Sequence, residues 1–224
     1  MLTAGDNNSG RSWLDGALAR FETDNDASVR RTRSLLARIM PDPALHARLI
    51  NTLSMLEHMG SHKIMATQHS AEIDQSTLKH VAEEAQHAWF MKHQAEKCSG
   101  REMTYVADDL LAPASARMYF GRLEALIVRL LGSRDSTEAA YLYMSMIVEF
   151  RALWFYRLYE SCLKQAGHAM SLKRVIGEER HHLRDMAQRL ELSGDLDDAR
   201  AHRFLDAERR LFQRFLGALQ RASA

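Results

Sequence analysis

The sequence predicts an all-α protein, arranged as a four-helix bundle with one long crossover connection. Three observations carry that reading. Only three prolines occur in 224 residues, at 41, 43 and 113, so long helices meet few breaks. Apolar residues recur at helical spacing, and the alternation of half-buried strands is almost absent. The segments fall as hairpin, long connection, hairpin, with further helices before, between and after them.

Each element has a local reason. Residues 1–27 are polar and rich in Gly, Asn and Asp, which predicts a loosely held, flexible arm ahead of a single helical domain over 28–224. A short helix follows over about Val29–Met40 and stops at Pro41-Asp42-Pro43. Asp42 caps the next helix and Pro43 suits its first turn. The polar stretch His69–Asp74 turns the chain, and Asp74 or Ser76 caps a helix running to Cys98. Residues 101–135 form the crossover, with a helix of their own from Pro113 to Leu131. Asp135-Ser136-Thr137-Glu138 resembles a capping box for a long helix that reaches Gln165 and stops at Gly167. Ser171 is placed to cap the fourth core helix, which ends near residues 192–194. Asp195 opens a last amphipathic, arginine-bearing helix over about 196–222.

Composition narrows the functional classes. Hydrophobic residues make up 46%, enough for a substantial core. Thirty basic against twenty-nine acidic side chains give no reason to expect nucleic acid or an anionic membrane as partner. Cys98 and Cys162 are the only cysteines, which excludes a four-thiolate zinc or rubredoxin site and fits a reducing compartment. The N-terminus has no apolar leader-like run and no segment approaches a membrane span, so the expectation is a cytoplasmic protein.

The chemistry concentrates in a motif that occurs twice. Glu83-Glu84-Ala85-Gln86-His87 and Glu178-Glu179-Arg180-His181-His182 each set a carboxylate and an imidazole three residues apart. On a helix such residues share a face, so Glu84 with His87, and Glu179 with His182, can each offer an oxygen and a nitrogen to one metal ion. The register Glu83–Gln86 supplies no imidazole. Glu178–His181 is a second possible register, and Glu179/His182 is preferred because it repeats the first. Alone, either pair could be a solvated face.

Two further acids change the balance. Glu57 in "TLSMLEHMG" and Glu149 in "YMSMIVEFRALWF" interrupt apolar stripes that should face the bundle interior. An ionised carboxylate buried without a partner is costly, so such residues pair with a cation, bind a metal or take up a proton. Glu57 and Glu84 are 27 positions apart, and Glu149 and Glu179 are 30 apart. Around a tight turn, each arm would be about 20 Å long, which brings both members to a similar height. Four carboxylates and two imidazoles then converge, a set suited to two hard-to-borderline divalent ions.

Glu57, Glu84-x-x-His87, Glu149 and Glu179-x-x-His182 resemble the ligand signature of the ferritin-like di-iron carboxylate superfamily. The resemblance covers about residues 43–192 and implies a ferritin-like four-helix bundle holding two iron ions, or a manganese or mixed manganese–iron pair. It implies an oxygenase or oxidase that activates dioxygen to oxidise an organic small-molecule substrate, fed by an external electron donor. The alternative is a non-catalytic iron-binding or ferroxidase protein of ferritin or bacterioferritin type. The additional N-terminal, crossover and C-terminal helices depart from storage ferritins, and Ala152 stands where rubrerythrins usually carry a further Glu.

Other residues stay open on sequence alone. His80, one turn before Glu84, is a possible additional ligand, although the similar arrangement in arylamine N-oxygenases lies on the fourth helix. Gly60 and Ser61 leave room for dioxygen or substrate, or serve close helix packing. Tyr156, two turns after Glu149, is a core tyrosine or a hydrogen-bonding or redox residue. Arg151 pairs with a buried acid or snorkels, Asp185 reads as a surface or helix-pairing acid, and the terminal helix covers the bundle or supports a homodimer.

Overall fold

In a computed structural model, residues 9–68, 73–131 and 137–224 are described, and among them there are helices and no strands. The helices are α1 Ser9–Asp24, α2 Asp26–Ile39, α3 Pro43–Thr67, α4 Gln75–Ser99, α5 Pro113–Leu131, α6 Thr137–Gln165, α7 Lys173–Leu192 and α8 Asp198–Ala222. None is long and apolar enough to cross a membrane.

Capping chemistry fixes most boundaries. Asp42 accepts from the Ala44 and Leu45 amides at the start of α3, and Asp74 accepts from Thr77 N at the start of α4. Gly100 (φ 71°) and Gly167 (φ 66°) end α4 and α6 in the left-handed region that glycine enters without cost from a Cβ. The turn at residues 69–72 and the Asp135-Ser136 part of the expected capping box lie outside the described residues.

Three expectations are corrected. Residues 9–24 are helical rather than a loose arm. Leu14, Ala17 and Phe21 recur on one face and are buried, and Phe21 packs on Phe150 at 5.4 Å between ring centroids. This narrow stripe is diluted by polar residues on the other faces, so average composition hides it. Ser171 is not the N-cap residue of α7, which is Leu172: its Oγ accepts from Lys173 N only at 3.5 Å, while Glu160 of α6 accepts from Leu172 N at 2.6 Å and from Ser171 Oγ at 3.1 Å. The last helix begins later than Asp195, at Asp198, because Asp197 rather than Asp195 accepts from Arg200 N.

Contacts give the directions of the four central helices. Ser54 Oγ donates to Ala88 O, and Cys98 lies beside Pro43 and His46, so α3 and α4 are antiparallel. Glu160 beside Leu172, and Glu138 beside Arg189, make α6 and α7 antiparallel. Arg174 on Gln86 and Arg189 on Thr77 set α4 antiparallel to α7, while His46 on Tyr159 and Tyr156 on Glu57 join α3 to α6. With α4 and α6 then running the same way, residues 100–136 must return the chain along a bundle about 37 Å long. That is the role of the crossover. Its first part is tied to α3 by Arg48 donating to Leu110 O, Asn51 donating to Thr104 O and Asp109 O, and Leu111 N donating to Thr52 Oγ1.

Helix α5 packs on α8 as well as on α3 and α6, and one hydrophobic core extends from Leu14 to Leu219. A buried ion pair locks the outer helices to the bundle. Arg151 of α6 donates to both oxygens of Glu208 on α8 at 2.9 and 2.8 Å and to Asn25 Oδ1 at 2.7 Å. Its guanidinium faces the rings of Phe21, Trp154 and Phe212. Arg151 therefore pairs with a buried acid.

Candidate metal centre

The two Glu-x-x-His motifs lie on facing helices, α4 and α7, and the two single glutamates on α3 and α6. The structure brings Glu57, Glu84, His87, Glu149, Glu179 and His182 together in the bundle interior, and none is more than 7% exposed. His182 is buried while His181 is exposed, so the Glu179/His182 register is the one that faces inward. His80 is buried beside them, with Nε2 3.2 Å from Glu149 Oε1 and 3.5 Å from Glu84 Oε1.

The donors fall into two overlapping groups, each with its ligand atoms within 4.8 Å of one another. One contains His80, Glu84, Glu149 and His182; the other contains Glu57, Glu84, His87 and Glu179. The division is not hairpin by hairpin: Glu179 of α7 sits with the donors of α3 and α4, and Glu84 belongs to both groups. Hence one group has two imidazoles and the other has one. Both His87 and His182 turn Nδ1 toward the carboxylates, at 3.4 Å from Glu179 Oε1 and 3.4 Å from Glu149 Oε1 respectively.

Their outer nitrogens have partners that sequence spacing missed. His182 Nε2 lies 2.9 Å from Glu83 Oε2, and His87 Nε2 lies 2.9 Å from Glu178 Oε2. The first glutamate of each Glu-Glu pair thus holds the histidine of the opposite helix. These acids are tethered in turn by Lys79 on Glu83 and Arg174 on Glu178, each one helical turn away. Asp185 plays no such part; it accepts from Ser76 Oγ and lies near Arg189, pairing helices. The available sequence cue was the doubled glutamate itself.

Packing shapes the inner carboxylates. Tyr156 donates to Glu57 Oε1, and Tyr141 OH lies 3.1 Å from His80 Nδ1. A Cβ on Gly60 would approach Glu84 Oε2 to 3.2 Å, so glycine is what lets this carboxylate lie against α3. Gly60 and Glu84 also line a cavity of about 180 Å³ bordered by His80 and Glu149.

Electrostatics report a shortage of positive charge. Burial, then the neighbouring charges of Glu84 and Glu179, push Glu57 well above the usual carboxylate range. Burial and the charge of Glu149 likewise raise Glu179. For the histidines burial opposes protonation, but contacts with the carboxylates outweigh it. They raise His80 to about 9, His87 to about 11 and His182 to about 12. Glu149 is held at about 2 because hydrogen bonds with Glu179, His182 and His80 overcome burial and the charge of Glu84.

Three buried atoms at the centre, Glu84 Oε1, His87 Nδ1 and Glu179 Oε1, make no hydrogen bond. Buried polar atoms without a partner are uncommon, and a bound ion is one way of satisfying them. Oxygen and imidazole donors without thiolate suit a hard or borderline divalent cation, and these buried groups could hold one. Comparison with protein-family models, with curated proteins and with solved structures finds no significant match.

Proposed function

We propose that the chain is a ferritin-like di-iron carboxylate oxidoreductase that uses dioxygen to oxidise an organic substrate. The observation that carries the reading is the pair of overlapping donor groups sharing Glu84, with three central donor atoms that make no hydrogen bond. Four carboxylates balance the charge of two divalent ions. Glu57, Glu84, His87 and Glu179 would hold one; Glu84, Glu149 and His182, with His80, would hold the other. Iron suits this mixed oxygen and nitrogen set, and manganese shares the preference.

Two such ions, when bound, supply Lewis acidity and redox electrons for dioxygen reduction. Insertion of one oxygen atom into a C–H or N–H bond consumes one dioxygen, two electrons and two protons and releases one water. The two electrons come from an external donor, a reductase or a chemical reductant. The protein's own residues provide the order. Glu83 and Glu178 fix the rings of His182 and His87 and keep Nδ1 inward. Tyr156 restrains Glu57, and the absence of a Cβ at Gly60 lets the Glu84 carboxylate lie close to α3. The apolar cavity beside the cluster favours an oxidoreductase over iron storage, since a hydrated cation would lose its water at a cost along that route.

Metal analysis of protein expressed with iron available tests the reading. Close to two metal ions per chain are expected, with marked loss in Glu84→Ala, because this residue serves both positions. Content below about one per chain, unchanged by that substitution, overturns it. An oligomeric shell of many subunits in solution would favour storage, whereas a monomer or homodimer favours the enzyme.

A further inference from the structure

The cavity at the cluster has a definite position and chemical character. It lies between α3, α4, α5 and α6, and its inner end is formed by His80, Glu84 and Glu149. It therefore borders the two-histidine position. A second cavity beside Glu57 and Tyr156 is only about 80 Å³. An apolar cavity of about 150 Å³ admits benzene, so the larger chamber, about 180 Å³, accepts a single ring with one small substituent. The smaller one does not.

Wall chemistry limits charge. Ile64, Phe120, Ile127, Met144 and Val148 supply an apolar lining. Away from the cluster, the charged groups among the described lining residues are Lys63 and Glu124, which neutralise each other at 2.5 Å. Their side chains are 32% and 43% exposed, and neighbouring Val128 is 58% exposed, which places them on the solvent side. An anionic or cationic ligand would have to part this pair and lose its own hydration, and with metal bound the Glu84 and Glu149 carboxylates at the inner end are committed to the ions rather than free to pair with a cation.

We infer that this chamber is the substrate site, and that it takes a neutral, compact, largely apolar molecule of about one aromatic ring, held against the His80–Glu149 side of the cluster. The inference rests on the oxidoreductase reading and adds to it the substrate class and the face of approach. Ser145 and Thr67 offer hydroxyls along the walls for one polar substituent, which gives orientation without charge.

Three probes of matched size, benzyl alcohol, benzoate and benzylamine, separate the possibilities. Each is titrated calorimetrically into the full-length protein as isolated, with metal content measured on the same sample. Benzyl alcohol is expected to bind at least about ten-fold more tightly than either charged probe. Ser145→Phe should abolish its binding by filling the chamber, with metal content retained. Ala140→Phe fills it independently and serves if the first variant loses its helical circular dichroism. Binding that favours a charged probe, binding of none of the three, or binding that survives both filled variants overturns the inference. Failed binding with about two metals present leaves the di-iron reading standing. Bound benzyl alcohol with no metal retained overturns that reading while leaving the chamber as a site for neutral molecules.

Discussion

His182 on α7 is held by Glu83 on α4, with Nε2 and Oε2 2.9 Å apart, and the same relation joins His87 to Glu178 in the opposite sense. The doubled glutamates are therefore a reciprocal clamp. Each helix contributes an inner carboxylate and a histidine to the centre and an outer carboxylate to its partner's histidine. Neither motif is complete without the other.

Removing one side of this clamp should weaken metal retention without emptying the site. Glu83→Ala leaves all the inward donors intact but frees the His182 ring to turn. A loss of about 10- to 100-fold in metal affinity is expected, measured by competition with a chelator of known affinity. Glu83→Gln, which keeps an acceptor oxygen, should lose less. Glu178→Ala should behave alike through His87. Unchanged affinity in both alanine variants would show that the rings are fixed by packing alone.

Gly60→Ala separates stability from metal binding. Alanine in the middle of α3 should favour the helix by about 1 kcal/mol relative to glycine. Its Cβ would meet Glu84 Oε2 at 3.2 Å, however, and that carboxylate would have to shift. The metal-free variant should therefore be as stable as the parent or slightly more so in urea denaturation, while its metal affinity falls. A parallel loss of both would place the role of Gly60 in helix packing instead.

Breaking the Arg151–Glu208 pair should be among the most destabilising single changes outside the candidate metal centre. Arg151→Met leaves Glu208 charged and buried, with Tyr119 alone among the described residues still donating to it. The expected loss is about 3–5 kcal/mol by urea denaturation. The double variant Arg151→Met/Glu208→Leu should recover much of it, since neither charge then remains in the core. Failure to recover would assign the energy to the rings around the guanidinium rather than to the charge pair.

How much of this could be read in the chain depended on whether the information was local. Asp42-Pro43, Asp74, Gly100, Pro113 and Gly167 are short-range stops and starts, and they mark α3 to α6 closely. Helix α1 has no such marks in its polar surroundings, and its stripe of Leu14, Ala17 and Phe21 gains meaning only against α6 and α7. The six inward residues were legible because helical spacing and hairpin geometry constrain them together. Glu83 and Glu178 were not, because their partners are on another helix, about ninety-five residues away in sequence. The sharing of Glu84 and the placement of Glu179 are likewise consequences of packing between hairpins, on which spacing within a hairpin is silent.

At the end of the bundle away from the candidate metal centre, His46 should make stability depend on pH. It is buried on α3, contacts the Tyr159 hydroxyl, lies 3.8 Å from Cys98 Sγ and meets the His168 ring edge-on. None of these neighbours is an acid. Burial first, and the proximity of His168 second, lower its pKa to about 4, from an ordinary value of 6.5. The folded protein thus binds fewer protons at this site than the unfolded chain between those two values. Stability from His46 is present in full above pH about 6.5 and is lost progressively as pH falls toward 4. The loss between pH 7 and pH 5 should be about 2 kcal/mol. Urea denaturation of the parent and of His46→Gln at both pH values isolates it, because the carboxylates elsewhere titrate in both proteins. The difference in stability between parent and variant should shift against the parent as pH falls. An equal response in the two proteins would mean that His46 accepts its proton without strain in the folded state.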